Sequence, residues 1–358
     1  METDISIFLR LVDPPLLAVT GTKGKSTTVS ALYHIMREHD SRVRLGGNIT
    51  ISPLSFADEI LDGLTADGIP PVILELSSWQ LADLRGKGVL HPQISCITNI
   101  LRDHQNRYKR FSDYVDDKRE IFLGQPRDAF SLFLYDEYGK GFAAERDGSA
   151  LFFSPEPLPD TVEGGYLDGG GEGLFRYRGE VHHLVPETAA VPGRHNRLNL
   201  LCAGMMAFFA GVDAGTIRRM SGSFPGIPHR LEFVAESRGV KYYNDSAATI
   251  PDAVLHGVNS FAGPCILITG GTDKELDFTP YREAAGKARA IIRRAGSGTE
   301  KVLPILREGK SFFSGPYESM EDAVKKAADL AVPGDVVLLS PGCASFEYFT
   351  NEFHRGEA

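Results

Sequence analysis

The sequence predicts an α/β protein of two open, mainly parallel sheets. Three observations carry the prediction. Short apolar runs at 16–19, 72–76, 94–100, 265–269 and 336–339 are nearly continuous rather than alternating, as strands covered on both faces require. Segments of helical period lie between them, the mark of βα alternation. A glycine-rich stretch, Thr20-Gly21-Thr22-Lys23-Gly24-Lys25-Ser26-Thr27-Thr28, joins the first run to an amphipathic segment. Strand, glycine loop and helix in that order form a cradle for a polyphosphate: backbone N–H groups and a helix N-terminus face the anion.

In chain order, 5–11 reads as a short helix, and Pro14-Pro15 leads into the first strand. The helix after the loop carries Val29, Leu32, Tyr33 and Met36 on one stripe. A strand at 42–45 runs into Gly46-Gly47-Asn48, and a charged helix follows at 108–122. Between 129 and 191, runs at 131–135, 151–153, 174–178 and 181–185 alternate with glycine turns, which predicts a small antiparallel addition. Residues 198–212 suit a buried helix. A proline-rich linker at 224–228 separates a domain at 1–226 from one at 227–358, in keeping with the length. The second is expected to hold strands at 231–234, 240–243, 265–269, 301–306 and 336–339, with helices at 281–294 and 320–331.

Composition excludes several classes. A net charge of −9 argues against a general nucleic-acid or anionic-membrane binder. No apolar run reaches a membrane span, and no secretory leader pattern opens the sequence. Cys96, Cys202, Cys265 and Cys343 are widely spaced and read as buried thiols of a cytoplasmic protein.

Polar residues at strand ends are the candidates for chemistry, since open α/β sheets bind ligands at the carboxyl edge. Lys25 supplies charge to a phosphate, and Ser26 or Thr27 a hydroxyl to Mg²⁺. Glu75 ends an apolar strand before Ser77-Ser78, and Asp103-His104 follows the next one. Lys118, inside Asp116-Asp117-Lys118-Arg119-Glu120, reads by charge pattern as part of a solvated helix face. Asn244-Asp245-Ser246, Gly270-Gly271-Thr272-Asp273-Lys274 and Ser340-Pro341-Gly342 end strands of the second domain, and His229-Arg230 follows the linker.

Together these residues resemble the Mur ligase family, ATP-dependent amide-forming enzymes of peptidoglycan precursor synthesis. The resemblance runs through Gly21-Thr22-Lys23-Gly24-Lys25-Ser26-Thr27, Gly46-Gly47-Asn48-Ile49, Leu74-Glu75-Leu76-Ser77-Ser78-Trp79-Gln80-Leu81, Asp103-His104 and Lys118. It continues through Gly193-Arg194-His195-Asn196 with Asn199, Pro228-His229-Arg230, Asn244-Asp245-Ser246, Gly270-Gly271 with Lys274, and Ser340 to Phe346. The Leu-Glu-Leu-Ser-Ser-x-Gln-Leu stretch points to the branch that adds D-glutamate.

The resemblance implies a central ATPase sheet of the phosphate-loop type and a Rossmann-like C-terminal domain that binds glutamate. The implied partners are ATP, two Mg²⁺, UDP-N-acetylmuramoyl-L-alanine and D-glutamate, joined through an acyl phosphate by a monomeric enzyme. It implies ATP contacts at Gly21, Thr22, Lys23, Gly24, Lys25, Ser26, Thr27, Asn196, Asn199, Arg230 and Asp245. Metal ligation is implied at Ser26, Glu75, His104 and a carbamylated Lys118, with Lys25, His104 and Lys118 catalytic. Substrate contacts are implied at Asn48, Ser77, Lys274, Ser345 and Phe346. The family also carries a uridine-nucleotide-binding domain ahead of the phosphate loop, and here about 20 residues precede it. Ala247 stands where the family has Lys, Asn106 where it has Asp, and Thr50 where it has Gly. The competing readings are a folylpolyglutamate-synthase-like glutamate ligase and an inactive nucleotide-binding fragment.

Overall fold

The computed structural model describes residues 2–49, 51–62, 68–101, 108, 110–308 and 311–358. The chain divides into two compact units, one of residues 1–189 with 194–224, the other of 190–193 with 225–358.

The first unit is organised around β1 (Leu16–Thr20), buried at every position. The other strands are β2 (Arg44–Gly47), β3 (Val72–Glu75), β4 (Ile94–Ile97), β5 (Phe130–Leu134), β6 (Ser149–Ser154), β7 (Gly164–Leu167), β8 (Gly173–Tyr177) and β9 (Glu180–Val185). Their order in the sheet is β2-β3-β1-β4-β5-β6-β7-β8-β9. Pairing is parallel from β2 to β7 and antiparallel in β7-β8-β9. The antiparallel addition is therefore smaller than the sequence predicts, because the runs near 131 and 151 extend the parallel sheet as β5 and β6. Their crossover is the helix Glu137–Glu145, obscured in the sequence by Gly139 and Gly141. Gly139 is needed there: a Cβ would stand 1.8 Å from the Leu134 carbonyl oxygen. The helix Arg194–Phe209 buries Leu200 through Ala207.

The second unit has β10 (Glu232–Ser237), β11 (Val240–Asn244), β12 (Cys265–Thr269), β13 (Ala288–Arg294), β14 (Phe312–Tyr317) and β15 (Val336–Leu339). They are ordered β10-β11-β15-β12-β13-β14, with only the β10–β11 pair antiparallel. Two expectations are corrected. The helix predicted over 281–294 stops at Lys287, and β-branched Ile291 and Ile292 lie in β13. The strand predicted over 301–306 is part of the helix Ser297–Glu308, which accommodates Pro304 and buries Val302 and Leu306, four residues apart. All four cysteines are buried free thiols. Among the described residues no helix is long and apolar enough to cross a membrane.

Candidate functional site

The chain leaves β1 and returns in β2 with β3 lying between them, so the topological switch point is at β1. Open α/β sheets bind ligands outside the strand ends at such a point. Parallel register brings Val19 opposite Glu75, and Thr20 opposite Ile97. The loops after β1, β3 and β4 therefore open on one edge.

The first of these loops is held by backbone geometry that needs glycine. Gly21 has φ 143°, and a Cβ there would stand 1.9 Å from Thr98 Oγ1 and 3.0 Å from the Thr98 nitrogen. Gly24, at φ 83°, caps the helix Lys25–His39, and a Cβ would meet Asn199 Oδ1 at 2.5 Å. Left-handed φ is cheap only for glycine. The loop is also stitched to the end of β4. Thr22 N donates to the Asn99 carbonyl at 2.9 Å, and Lys23 N to Asn99 Oδ1 at 2.9 Å. Thr98 Oγ1 donates to the Lys23 carbonyl at 2.6 Å. Thr98 and Asn99 escaped the sequence reading because the apolar run at 94–100 enclosed them, whereas the strand ends at Ile97.

Two lysines converge on this loop. Lys25 Nζ donates to the carbonyls of Gly21 (3.0 Å) and Thr22 (2.9 Å). Lys118 Nζ donates to the Gly21 carbonyl at 2.8 Å and lies 4.7 Å from the Tyr114 ring centroid. Lys118 is 1% exposed, which corrects the solvated face that charge pattern alone suggests. The helix Phe111–Leu123 turns its charged neighbours elsewhere: Asp117 accepts from Arg85 and from the Tyr108 hydroxyl, and Arg119 pairs with Asp116. Tyr114, fully buried and 2.9 Å from Thr22 Oγ1 through its hydroxyl, had no sequence signal of its own.

Glu75 is 1% exposed. Its Oε1 accepts from Asn48 Nδ2 at 2.8 Å, while Oε2 is buried with no hydrogen-bond partner among the described residues. A buried, unpartnered carboxylate oxygen is costly, and a divalent cation is the partner that suits a hard oxygen donor. The residues present thus fit such an ion. Ser77 does something narrower: Ser77 Oγ accepts from Gln80 N at 3.2 Å and Gln80 Oε1 from Ser77 N at 2.9 Å, a capping box for the helix Ser78–Leu84. His104, with Asp103, Asn106 and Thr50, lies outside the described residues. Asn196 is buried and Asn199 half-buried on the helix Arg194–Phe209, and Asn199 reaches Gly24.

In the second unit the loops after β11, β12 and β15 share the carboxyl edge of the sheet. Lys274 is exposed, its Nζ 4.9 Å from the Phe346 ring centroid. Ser345 is buried, and its Oγ has no hydrogen-bond partner among the described residues. Ala247 N donates to the His229 carbonyl at 2.9 Å. Arg230 is exposed between His229 (φ 62°) and Leu231 (φ 46°). Two non-glycine residues at positive φ mark stored strain, and Asp245 braces that turn by accepting from Leu231 N at 3.2 Å. Asp245 also accepts from Ser340 Oγ at 2.8 Å. Both oxygens are thereby engaged inside the unit.

Burial raises the Asp245 pKa to about 7, against the lowering effect of its bonds to Ser340 and Leu231 and of nearby Arg230. The folded state then holds this proton more tightly than the unfolded chain. The contribution of Asp245 to the stability of the second unit is accordingly fully present below the ordinary carboxylate range, about 4. It is lost as pH rises toward 7, by up to about 1.4 kcal/mol per pH unit, while Asp273 and Asp277, whose hydrogen bonds lower their pKa, act in the opposite direction at lower pH. The difference in urea midpoint between wild type and Asp245→Asn would shift against the wild type as pH rises across that window. Parallel curves would contradict the assignment.

Comparison with known proteins follows the same two units. The Mur ligase middle domain matches residues 19–207, and the Mur ligase glutamate ligase domain matches residues 229–343. The chain is 39% identical to UDP-N-acetylmuramoylalanine--D-glutamate ligase of Borreliella afzelii (strain PKo), over 99% of this chain and 76% of that protein. It is 40% identical to the protein of the same name from Roseiflexus sp. (strain RS-1), over 100% of this chain and 78% of that one. Among solved structures it is similar to MurF ligase from Thermotoga maritima in complex with ADP, with TM-score 0.63, 19% identity, and coverage of 95% and 80%. It is also similar to E. coli FolC in complex with DHPP and ADP, with TM-score 0.65, 19% identity, and coverage of 94% and 88%. At that identity the two structures speak for the fold alone.

Proposed function

The chain belongs to the Mur ligase family, and on that premise we propose that it is the ATP-dependent ligase joining D-glutamate to UDP-N-acetylmuramoyl-L-alanine. The observation that carries the proposal is the set at the β1 edge: a glycine loop, half-buried Lys25 and buried Lys118 aimed at its carbonyls, and the buried Glu75 oxygen that has no hydrogen-bond partner among the described residues.

A carboxylate is a poor acyl donor because oxide is a poor leaving group. Attack of the donor carboxylate on the ATP γ-phosphate gives an acyl phosphate and ADP. The glutamate amine then adds to the carbonyl, and phosphate leaves. The protein's part is positioning and charge stabilisation. Backbone N–H groups of residues 21–27 receive the phosphates, and Lys25 swings from the Gly21 and Thr22 carbonyls to the γ-phosphate. Ser26 and Glu75 would hold one Mg²⁺, and His104 with a carbamylated Lys118 a second; bound there, these ions supply Lewis-acid stabilisation of phosphoryl charge. Asn48 and Ser77 are assigned to the donor, and Asn196 and Asn199 to the adenine side of the nucleotide. Arg230 and Asp245 are assigned as nucleotide residues too, Asp245 acting through the braced turn that presents Arg230. Lys274, Ser345 and Phe346 are assigned to the acceptor. Residues 1–226 and 227–358 are proposed as the ATP-binding and glutamate-binding domains.

The test is ATP-dependent phosphate release by the full-length protein with UDP-N-acetylmuramoyl-L-alanine and a panel of amino acids. D-Glutamate is expected to stimulate release above every other acceptor. Equal or greater stimulation by another amino acid, or none by D-glutamate, would overturn the reading.

A further inference from the structure

We propose that Arg294 and Arg355, two buried guanidinium groups of the second unit, supply the fixed positive charge that selects a dicarboxylate acceptor. The inference rests on the acceptor reading above and names the source of its charge selectivity.

Arg294 is 4% exposed and Arg355 3% exposed. Among the described residues no ion pair compensates either one; Glu352 acts on Arg355 from its own helix without forming one. Carbonyls solvate them instead. Arg294 Nη1 donates to the carbonyls of Tyr317 (3.0 Å) and Glu318. Arg355 donates to the carbonyls of Cys343 (3.0 Å), Ala344 (3.1 Å) and Ser246 (2.8 Å), and to Ser246 Oγ (3.0 Å). Burial lowers the pKa of both, Arg355 to about 10, and Arg294 adds to that effect on Arg355. The two cations therefore repel each other.

Carbonyls satisfy their hydrogen bonds but leave their charge uncompensated, which is destabilising and is relieved by an anion nearby. Their positions say where it goes. Arg294 lies 5.5 Å and 5.6 Å from the ring centroids of Tyr348 and Phe349. Arg355 holds the backbone just ahead of Ser345, and its Nη1 is 3.5 Å from where a Gly271 Cβ would be. Both thus underlie the loops that carry Lys274, Ser345 and Phe346. Arg355 also grips the carbonyl of Ser246, next to Ala247. A lysine at 247 would offer a flexible, hydrated cation; these guanidiniums offer charge that is fixed and already desolvated. Solvent screens such charges weakly.

The experiment compares D-glutamate with D-glutamine, which differ in side-chain charge, in wild type, Arg294→Met, Arg294→Gln and Arg294→Lys. Melting curves establish which variants are folded, and Gln substitutes for Met if Met is not. Acceptor binding by calorimetry and steady-state kinetics are both read. Removing the charge is expected to weaken D-glutamate binding and raise its KM about tenfold, with D-glutamine and kcat far less affected, and Arg294→Lys is expected to restore the preference. Unchanged D-glutamate binding in a folded, uncharged variant, or equal losses for both acceptors, would overturn the proposal. Wild type that binds D-glutamate selectively but releases no phosphate would sink the ligase reading and leave this one standing.

Discussion

Lys25→Ala is expected to lower D-glutamate-dependent phosphate release by about a thousandfold, the scale of removing one preorganised charge from a transition state. The structure shows how Lys25 is poised for this role. Lys25 opens the helix after Gly24, and its ammonium is held 2.9–3.0 Å from two carbonyls of its own loop. Swinging away from those carbonyls costs little compared with recruiting a distant cation. Lys118, whose amine also donates to the loop, is enclosed by Tyr114 and the Gly21 carbonyl. Arginine should rescue poorly, since its planar fork does not fit a space shaped for a point charge. The measurement is kcat for the alanine variant in a coupled phosphate assay with the melting temperature checked alongside. A rate within a few-fold of wild type would remove Lys25 from the chemistry.

Lys118→Ala is expected to abolish turnover on a similar scale, about a thousandfold, but with a different signature. An ammonium repels a cation, whereas a lysine carbamate offers two oxygens to one. The carbamate also keeps one N–H, so the 2.8 Å bond to the Gly21 carbonyl has a donor in either form. If the carbamate is the working species, short carboxylic acids added to Lys118→Ala should restore part of the rate by placing oxygens in the vacated space. They should do nothing for Lys25→Ala. Wild-type-like turnover in Lys118→Ala, or equal rescue of both variants, would count against an oxygen-donating lysine.

How much of this was legible depended on the range of the interaction. The glycine loop, the apolar strands and the strand-end position of Glu75 are local patterns, and the sequence displayed them. Lys118 was legible only through resemblance, because its burial depends on Tyr114, Thr20 and Gly21 meeting it from elsewhere in the chain. Asp245 looked like a ligand-facing strand-end carboxylate, and its commitment to Leu231 and Ser340 arises from a turn with two residues at positive φ. Arg294 and Arg355 gave no sign, since sequence does not show that a guanidinium lacks a counter-ion. The misread stretch 288–306 failed for a shorter-range reason. The apolar run within 301–306 suits either a strand or a helix face, and the structure makes it part of a helix that contains Pro304; Ala288-Arg289-Ala290 prolonged a helical pattern into what packs as β13.

In the proposed reaction the loop at Gly21 aims a γ-phosphate at a carboxylate. The direct measurement is isotope transfer: the donor carboxylate is labelled with oxygen-18, the full-length protein turns over with ATP and D-glutamate, and the released phosphate is analysed by mass. An acyl-phosphate route predicts one labelled oxygen in each phosphate released. Unlabelled phosphate, formed while amide product accumulates, would contradict the account.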